Sequence, residues 1–93
     1  MTLKIKQFSG KRGTRIRLSG ELRFEHLHEV GTAIQGSDPT VTLDLEEVDL
    51  VDIDAVRFLN ACQAQGVGVT NCLPYIREWM FQERAREDKS ERR

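Results

Sequence analysis

The chain has 93 residues, of which 39% are hydrophobic and 31% charged, with a formal net charge of -1. This length holds one domain with a single modest core and excludes a separate substrate domain. The composition excludes a disordered chain. No apolar run approaches the ~20 residues that span a bilayer, and the N-terminus lacks the charged-then-apolar pattern of a secretory signal. The expected address is therefore the cytoplasm, without membrane insertion.

In chain order, Leu3-Lys4-Ile5-Lys6-Gln7-Phe8 alternates apolar and polar residues with period two and reads as a half-buried strand. Ser9-Gly10-Lys11-Arg12-Gly13 supplies turn chemistry, and a second alternation, Thr14 to Leu18, follows at hairpin distance. The basic residues of both strands then point to an open face of the sheet, where they discourage edge-to-edge association. Phe24 to Ile34 forms a short amphipathic helix, ended by Gly36-Ser37-Asp38-Pro39 because proline cannot continue it. Thr40 to Leu45 is a β-rich run suited to a more central strand.

Two carboxylates interrupt the apolar stretch Leu50-Val51-Asp52-Ile53-Asp54-Ala55-Val56-Arg57-Phe58-Leu59. Ala55, Phe58, Leu59 and Cys62 fall at i, i+3, i+4 and i+7, the buried stripe of a second helix. Asp52 and Asp54 lie at its start, where unpaired N–H groups and the helix dipole favour an anion. One aspartate suffices as a cap, so the second is surplus on a structural account. Gly66 closes this helix, Val67 to Cys72 reads as a fourth short strand, and Pro74 opens a last helix. Residues 76, 79 and 80 form its sheet-facing stripe, leaving Tyr75 and Phe81 on the flanks, either as binding aromatics or as caps on the core. Residues 1–81 are expected to form the domain, and 82–93 a charged extension that is either helical or frayed.

The resulting fold class is α/β, in the order β-β-α-β-α-β-α, with a mixed four-stranded sheet and helices mainly on one face. Charge is polarised along the chain. Seven bases lie between Met1 and Arg23 against only Glu21, and seven acids with no base lie between Asp38 and Asp54. That asymmetry either steers a partner or marks two solvated sides of the sheet; an acidic neighbour so close argues against nucleic-acid binding. His26 and His28, two apart on a helix, point to different faces and do not share a metal. Cys62 and Cys72 have neither metal-ligand spacing nor a disulfide framework and read as reduced, small apolar residues. There is no phosphate-binding loop and no serine-histidine-acid constellation, so no enzymatic activity and no cofactor are expected.

Arg17-Leu18-Ser19-Gly20-Glu21-Leu22, then Val41-Thr42-Leu43-Asp44-Leu45, then Val51-Asp52-Ile53-Asp54-Ala55-Val56 before a helix together resemble a STAS domain (sulfate transporter and anti-sigma factor antagonist). The resemblance covers roughly Leu3 to Met80 and implies a SpoIIAA-like single domain. Gly20-Glu21-Leu22 is similar to the family's Gly-Glu-Leu-Asp loop, with Arg23 in place of the aspartate. Asp52-Ile53-Asp54-Ala55-Val56 is similar to its Asp-Ser-Ser-Gly-Leu switch. In that family the second serine accepts phosphate from a partner kinase, and Asp54 occupies the position. A carboxylate cannot accept phosphate from a serine kinase, so the usual switch is expected to be absent.

The resemblance implies a non-enzymatic interaction module of bacterial signalling that docks a protein such as a kinase-like anti-sigma factor. It places the contact surface on Glu21, Leu22, Arg23, Asp52, Ile53, Asp54 and Arg57. Asp54 then serves either as a helix cap alone or as a cap that also meets the partner. A small subunit of a transport ATPase or stress-signalling assembly is the alternative, a nucleotide-binding or hydrolysing domain a remoter one, and self-association stays open.

Overall fold

The computed structural model describes the backbone of residues 3–11, 13–36 and 40–91, and side chains as far as residue 86. Strands β1 (Leu3–Gly10) and β2 (Gly13–Leu22) form an antiparallel hairpin. A 3₁₀ turn (Phe24–His26) leads into α1 (Leu27–Gln35), followed by β3 (Val41–Val51), α2 (Ile53–Ala64), β4 (Gly68–Thr70) and α3 (Pro74–Glu91). The sheet order is β1-β2-β3-β4, with β2, β3 and β4 parallel. The expected β-β-α-β-α-β-α architecture with a mixed sheet is therefore present. Arg12 of the expected turn, the Ser37-Asp38-Pro39 helix stop and the last two residues of the tail lie outside the described residues.

The hairpin is seated on the rest of the sheet at one glycine. Gly13 has φ +125°, and a Cβ there would stand 2.4 Å from the Thr40 carbonyl oxygen. The adjacent Thr14 N–H donates to that same oxygen at 2.9 Å, so the start of β2 is pinned to the start of β3. A side chain at residue 13 would push these two strand ends apart.

Two strands differ from expectation in length. β3 continues past Leu45 through Glu46 and Glu47 to Val51, although acidic residues have low strand propensity, because it pairs with β2 along nearly its whole length. Register shifts between Arg17 and Ser19 and between Gly20 and Glu21 absorb the mismatch. β4 is only three residues long, since Asn71 turns the chain into the left-handed region at φ 62°.

The core lies on one side of the sheet. Ile16 and Leu18 of β2 and Leu43 and Leu45 of β3 are fully buried against Val30 of α1, Ala55, Val56 and Leu59 of α2, and Ile76 of α3. Burying each such aliphatic side chain contributes roughly 1.5–3 kcal/mol. The expected α2 stripe is buried at Ala55, Leu59 and Cys62, with Phe58 half-buried and Val56 added. Burial pushes the Cys62 thiol up to about 11, in keeping with an inert apolar residue. On α3, Ile76 and Met80 are buried and Trp79 is half-buried.

On the opposite face β2 and β3 carry a polar cluster. Asp44 is 2% exposed; its Oδ1 accepts from the Glu46 N–H and from Asn71 Nδ2, both at 3.0 Å. The Arg17 and Arg15 guanidiniums stand 3.6 and 3.8 Å from its Oδ2. Burial alone would raise this carboxyl, but the Asn71 amide, the Glu46 N–H and the two arginines outweigh it and hold its pKa below the ordinary value.

Helix α3 runs on without a break past residue 81. Glu83 is 3% exposed, its Oε1 3.4 Å from Arg57 Nε and its Oε2 3.8 Å from Arg86 Nη1. Arg84 donates to the side-chain oxygens of Asn60 and Gln63, and Asn60 Nδ2 donates to the Met80 carbonyl at 2.9 Å. Polar contacts thus extend the α2–α3 packing beyond the apolar stripe.

Candidate functional site

The candidate site sits beyond the carboxyl ends of β2 and β3. Leu22 and Val51, the last residues of these adjacent parallel strands, are register partners. The sheet therefore delivers the segment Glu21–Arg23 and the start of α2 to the same place, the usual location of sites in parallel α/β sheets.

Asp52 joins the two segments. It is the N-cap of α2, with extended backbone, and its Oδ1 accepts from the Ala55 N–H at 2.9 Å. Its Oδ2 accepts from the Phe24 N–H, also at 2.9 Å. One carboxylate thus satisfies an orphan donor of the helix and ties down the loop that follows β2. Beside it, Arg23 Nε donates to Glu21 Oε1 at 2.9 Å, and the Arg23 N–H donates to His26 Nδ1 at 3.2 Å. The imidazole of His26 accordingly accepts a hydrogen bond from the backbone and serves the turn.

Asp54 is exposed and lies in the first turn of α2, not at its cap. The cap function weighed for it belongs to Asp52 alone. Among the described residues the Asp54 carboxylate has no hydrogen-bond or ion-pair partner, and the helix dipole favours its charge. Ile53 is half-buried beside it. Arg57 lies about one turn further on, 54% exposed, but its guanidinium is shared with the buried Glu83 of α3. Leu22 has no accessible surface. It anchors the loop in the core and leaves Glu21 and Arg23 to be presented, which narrows its expected contact role to positioning.

One surface residue escaped the sequence reading. Phe24 is 67% exposed, the most exposed large hydrophobic side chain among the described residues. The expected helix over Phe24 to Ile34 includes it, whereas regular helix begins at Leu27 and Phe24 heads the 3₁₀ turn and is exposed. Its position immediately after the loop, ahead of the regular helix, was the only available signal. The site therefore presents an aromatic ring, the Glu21–Arg23 pair and an unpartnered carboxylate on a backbone fixed by Asp52. It offers no nucleophile–base pair, and no group of three or more His, Cys, Asp or Glu placed to hold a metal occurs among the described residues. No helix among them is long and apolar enough to cross a membrane.

This architecture, with two crossovers through helices packed on one face of a mixed sheet, is the STAS fold of the anti-sigma factor antagonists. The SpoIIAA structure, an anti-sigma factor antagonist in its unphosphorylated form, aligns over 95% of this chain and 99% of its own, with a TM-score of 0.64 and 16% identity. An anti-sigma factor antagonist STAS domain from Rhodobacter sphaeroides aligns over 74% of this chain and 86% of its own, with a TM-score of 0.58 and 17% identity. A protein of the DUF3478 family from Shewanella loihica, with a SpoIIAA-like fold, aligns over 72% and 65%, with a TM-score of 0.50 and 15% identity. No family model and no curated protein matches the sequence.

Proposed function

We propose that the protein is a non-enzymatic docking module of bacterial signalling, similar in role to an anti-sigma factor antagonist, whose contact surface carries a fixed negative charge in place of a phosphorylatable serine. The observation that supports this reading most is the Asp52 carboxylate, which holds the Phe24 backbone and the α2 tip in one fixed relation while Asp54 has no partner among the described residues. An exposed aromatic on backbone tied to the α2 tip, with an accessible anion two residues past that tie, is what a partner with an apolar pocket and a neighbouring cation recognises, at little cost in backbone ordering. Aspartate supplies about one negative charge where a phosphoserine supplies about 1.5 to 2, so the surface resembles a modified relative only in part. The intended partner is a kinase-like anti-sigma factor.

Affinity capture from cells that express the protein tests the proposal, comparing the natural chain with Asp54→Ala, Phe24→Ala and Arg57→Ala. The natural chain is expected to retain an anti-sigma factor of the kinase fold, with capture reduced by Asp54→Ala and by Phe24→Ala. When that partner and ATP are added, residue 54 takes no phosphate, whereas Asp54→Ser becomes a substrate. Retention unchanged by all three substitutions would remove this surface from the function, and retention of transport components in place of sigma regulators would select the subunit reading.

A further inference from the structure

Helix α3 carries a second stripe that neither the core nor the site at the α2 tip uses. Ile76, Met80 and Glu83, at i, i+4 and i+7, are buried. One residue further round, Arg77, Phe81 and Arg84 repeat that spacing on the surface, with Phe81 65% exposed. The stripe overlooks a groove of about 340 Å³ floored by Val69, Cys72 and Met80. Beyond it lies β4, an edge of the sheet, with no strand on its outer side among the described residues.

The two arginines are not neutralised. Arg77 has no ion-pair partner among the described residues, and Arg84 is held by the neutral oxygens of Asn60 and Gln63. No carboxylate lines this groove among the described residues, and Glu78, in the adjoining hollow beside Arg77 and Phe81, accepts from Gln82 further out on the helix. Tyr75, also exposed on α3, donates its hydroxyl to the Asp49 carbonyl, which accounts for it structurally, whereas Phe81 is 65% exposed. An exposed aromatic between two guanidiniums, beside an apolar floor and an open strand edge, has the composition of an interface centre.

We propose that the Arg77–Phe81–Arg84 stripe and the adjoining β4 edge form a second docking surface, for an extended segment of a protein partner that carries an apolar side chain between two carboxylates. The dimensions agree. Seven residues of helix separate the arginines by ~10 Å, and carboxylates four residues apart on an extended strand lie ~13 Å apart on one face, with the intervening apolar residue between them. The flexible guanidinium arms cover the difference. Backbone groups of such a segment find partners on the open edge of β4, the mode of strand addition. A second copy of this chain does not supply the segment. Where its sequence spaces two acids around an apolar residue in this way, at Glu25–Leu27–Glu29 and Glu83–Ala85–Glu87, the chain is helical and not extended.

Cys72 on the groove floor reports occupancy. The probe is a nine-residue peptide of serine and threonine with glutamate at its third and seventh positions and leucine at its fifth; the control has lysine for both glutamates. The rate of Cys72 alkylation by iodoacetamide is followed by mass spectrometry on the full chain, with buried Cys62 as internal reference. Saturating acidic peptide is expected to slow alkylation about fivefold or more while the lysine control does not. Arg77→Glu and Phe81→Ala, each compared with its own peptide-free alkylation rate, should raise the peptide concentration needed for half-maximal protection about tenfold, equivalent to ~1.4 kcal/mol. The milder Arg77→Gln should raise it less, and thermal melts should remain those of the natural chain, since both side chains are exposed. The same protection by both peptides, no protection by either, or protection that rises with protein concentration in the absence of peptide would overturn the proposal, the last by making a second copy the occupant.

Discussion

Replacing Asp52 by asparagine and by alanine separates its two hydrogen bonds. Asparagine caps a helix about as well as aspartate, so Asp52→Asn retains an acceptor for the Ala55 N–H. Its amide nitrogen then faces the Phe24 N–H, donor against donor, and the bond across the loop is lost. A hydrogen bond to a charged group contributes roughly 1.5–3 kcal/mol when buried, and this one is exposed, so a loss of about 1 kcal/mol is expected. Asp52→Ala also forfeits the cap, typically ~1 kcal/mol, for a total of about 2 kcal/mol. With a urea m-value near ~1 kcal/mol/M for a small domain, the unfolding midpoint falls by about 1 M for asparagine and about 2 M for alanine. Amide hydrogen exchange assigns the losses: the Phe24 N–H accelerates in both variants, the Ala55 N–H only in alanine. If asparagine unfolds at the same urea concentration as the natural chain, or if Phe24 exchange does not change, the carboxylate does not join the two segments and the argument for a preorganised surface fails.

The remaining predictions concern the frame around that surface. Gly13→Ala should destabilise by well over ~1 kcal/mol, because strain at positive φ adds to a contact with the Thr40 carbonyl. Gly66→Ala, at φ +96° with nothing within 4 Å of its would-be Cβ, should cost only the backbone strain of about 1 kcal/mol; equal midpoints would contradict the clash. The lowered carboxyl pKa of Asp44 contributes stability that is present above the ordinary value of 3.8 and lost as pH falls through the lower value of the folded state. The advantage of the natural chain over Asp44→Asn in thermal melts, about 1–3 kcal/mol at neutral pH, should therefore shrink below about pH 4. Arg57→Ala and Glu83→Ala should be non-additive in a double-mutant cycle, with a coupling of about 1 kcal/mol, since Glu83 is the ion-pair partner of Arg57 and loses the nearer of its two arginines when Arg57 is removed. Asp54→Ala should lower the unfolding free energy by no more than about 1 kcal/mol, the upper contribution of one exposed carboxylate near a helix N-terminus; a larger loss would show that residue 54 has an internal structural role.

The order of elements was legible because each switches hydrophobic period cleanly. Leu3 to Phe8 and Thr14 to Leu18 alternate, the Ala55–Leu59–Cys62 stripe does not, and Gly66 and Pro74 mark real boundaries. What stayed hidden depended on long-range pairing. Glu46 and Glu47 look like loop residues until β2 is laid beside them. Asp52 and Asp54 cannot be told apart as caps without knowing that α2 begins at Ile53, and only the Leu22–Val51 register brings Phe24 within reach of residue 52. Glu83, in a run of charges, gave no sign of burial, since a carboxylate goes inside only where arginines such as Arg57 meet it.

That joint between α2 and α3 has a further consequence. Glu83 grips Arg57, which belongs to the surface at the α2 tip, while the next residue, Arg84, borders the groove beside β4. A ligand that draws Arg57 away leaves Glu83 to find other company and disturbs the stretch of α3 on which the second surface depends. Linkage then requires the influence to run equally in both directions. Titrating one site with the other occupied would measure this cross-talk, and identical affinities would mean the two ends of the molecule act in ignorance of each other.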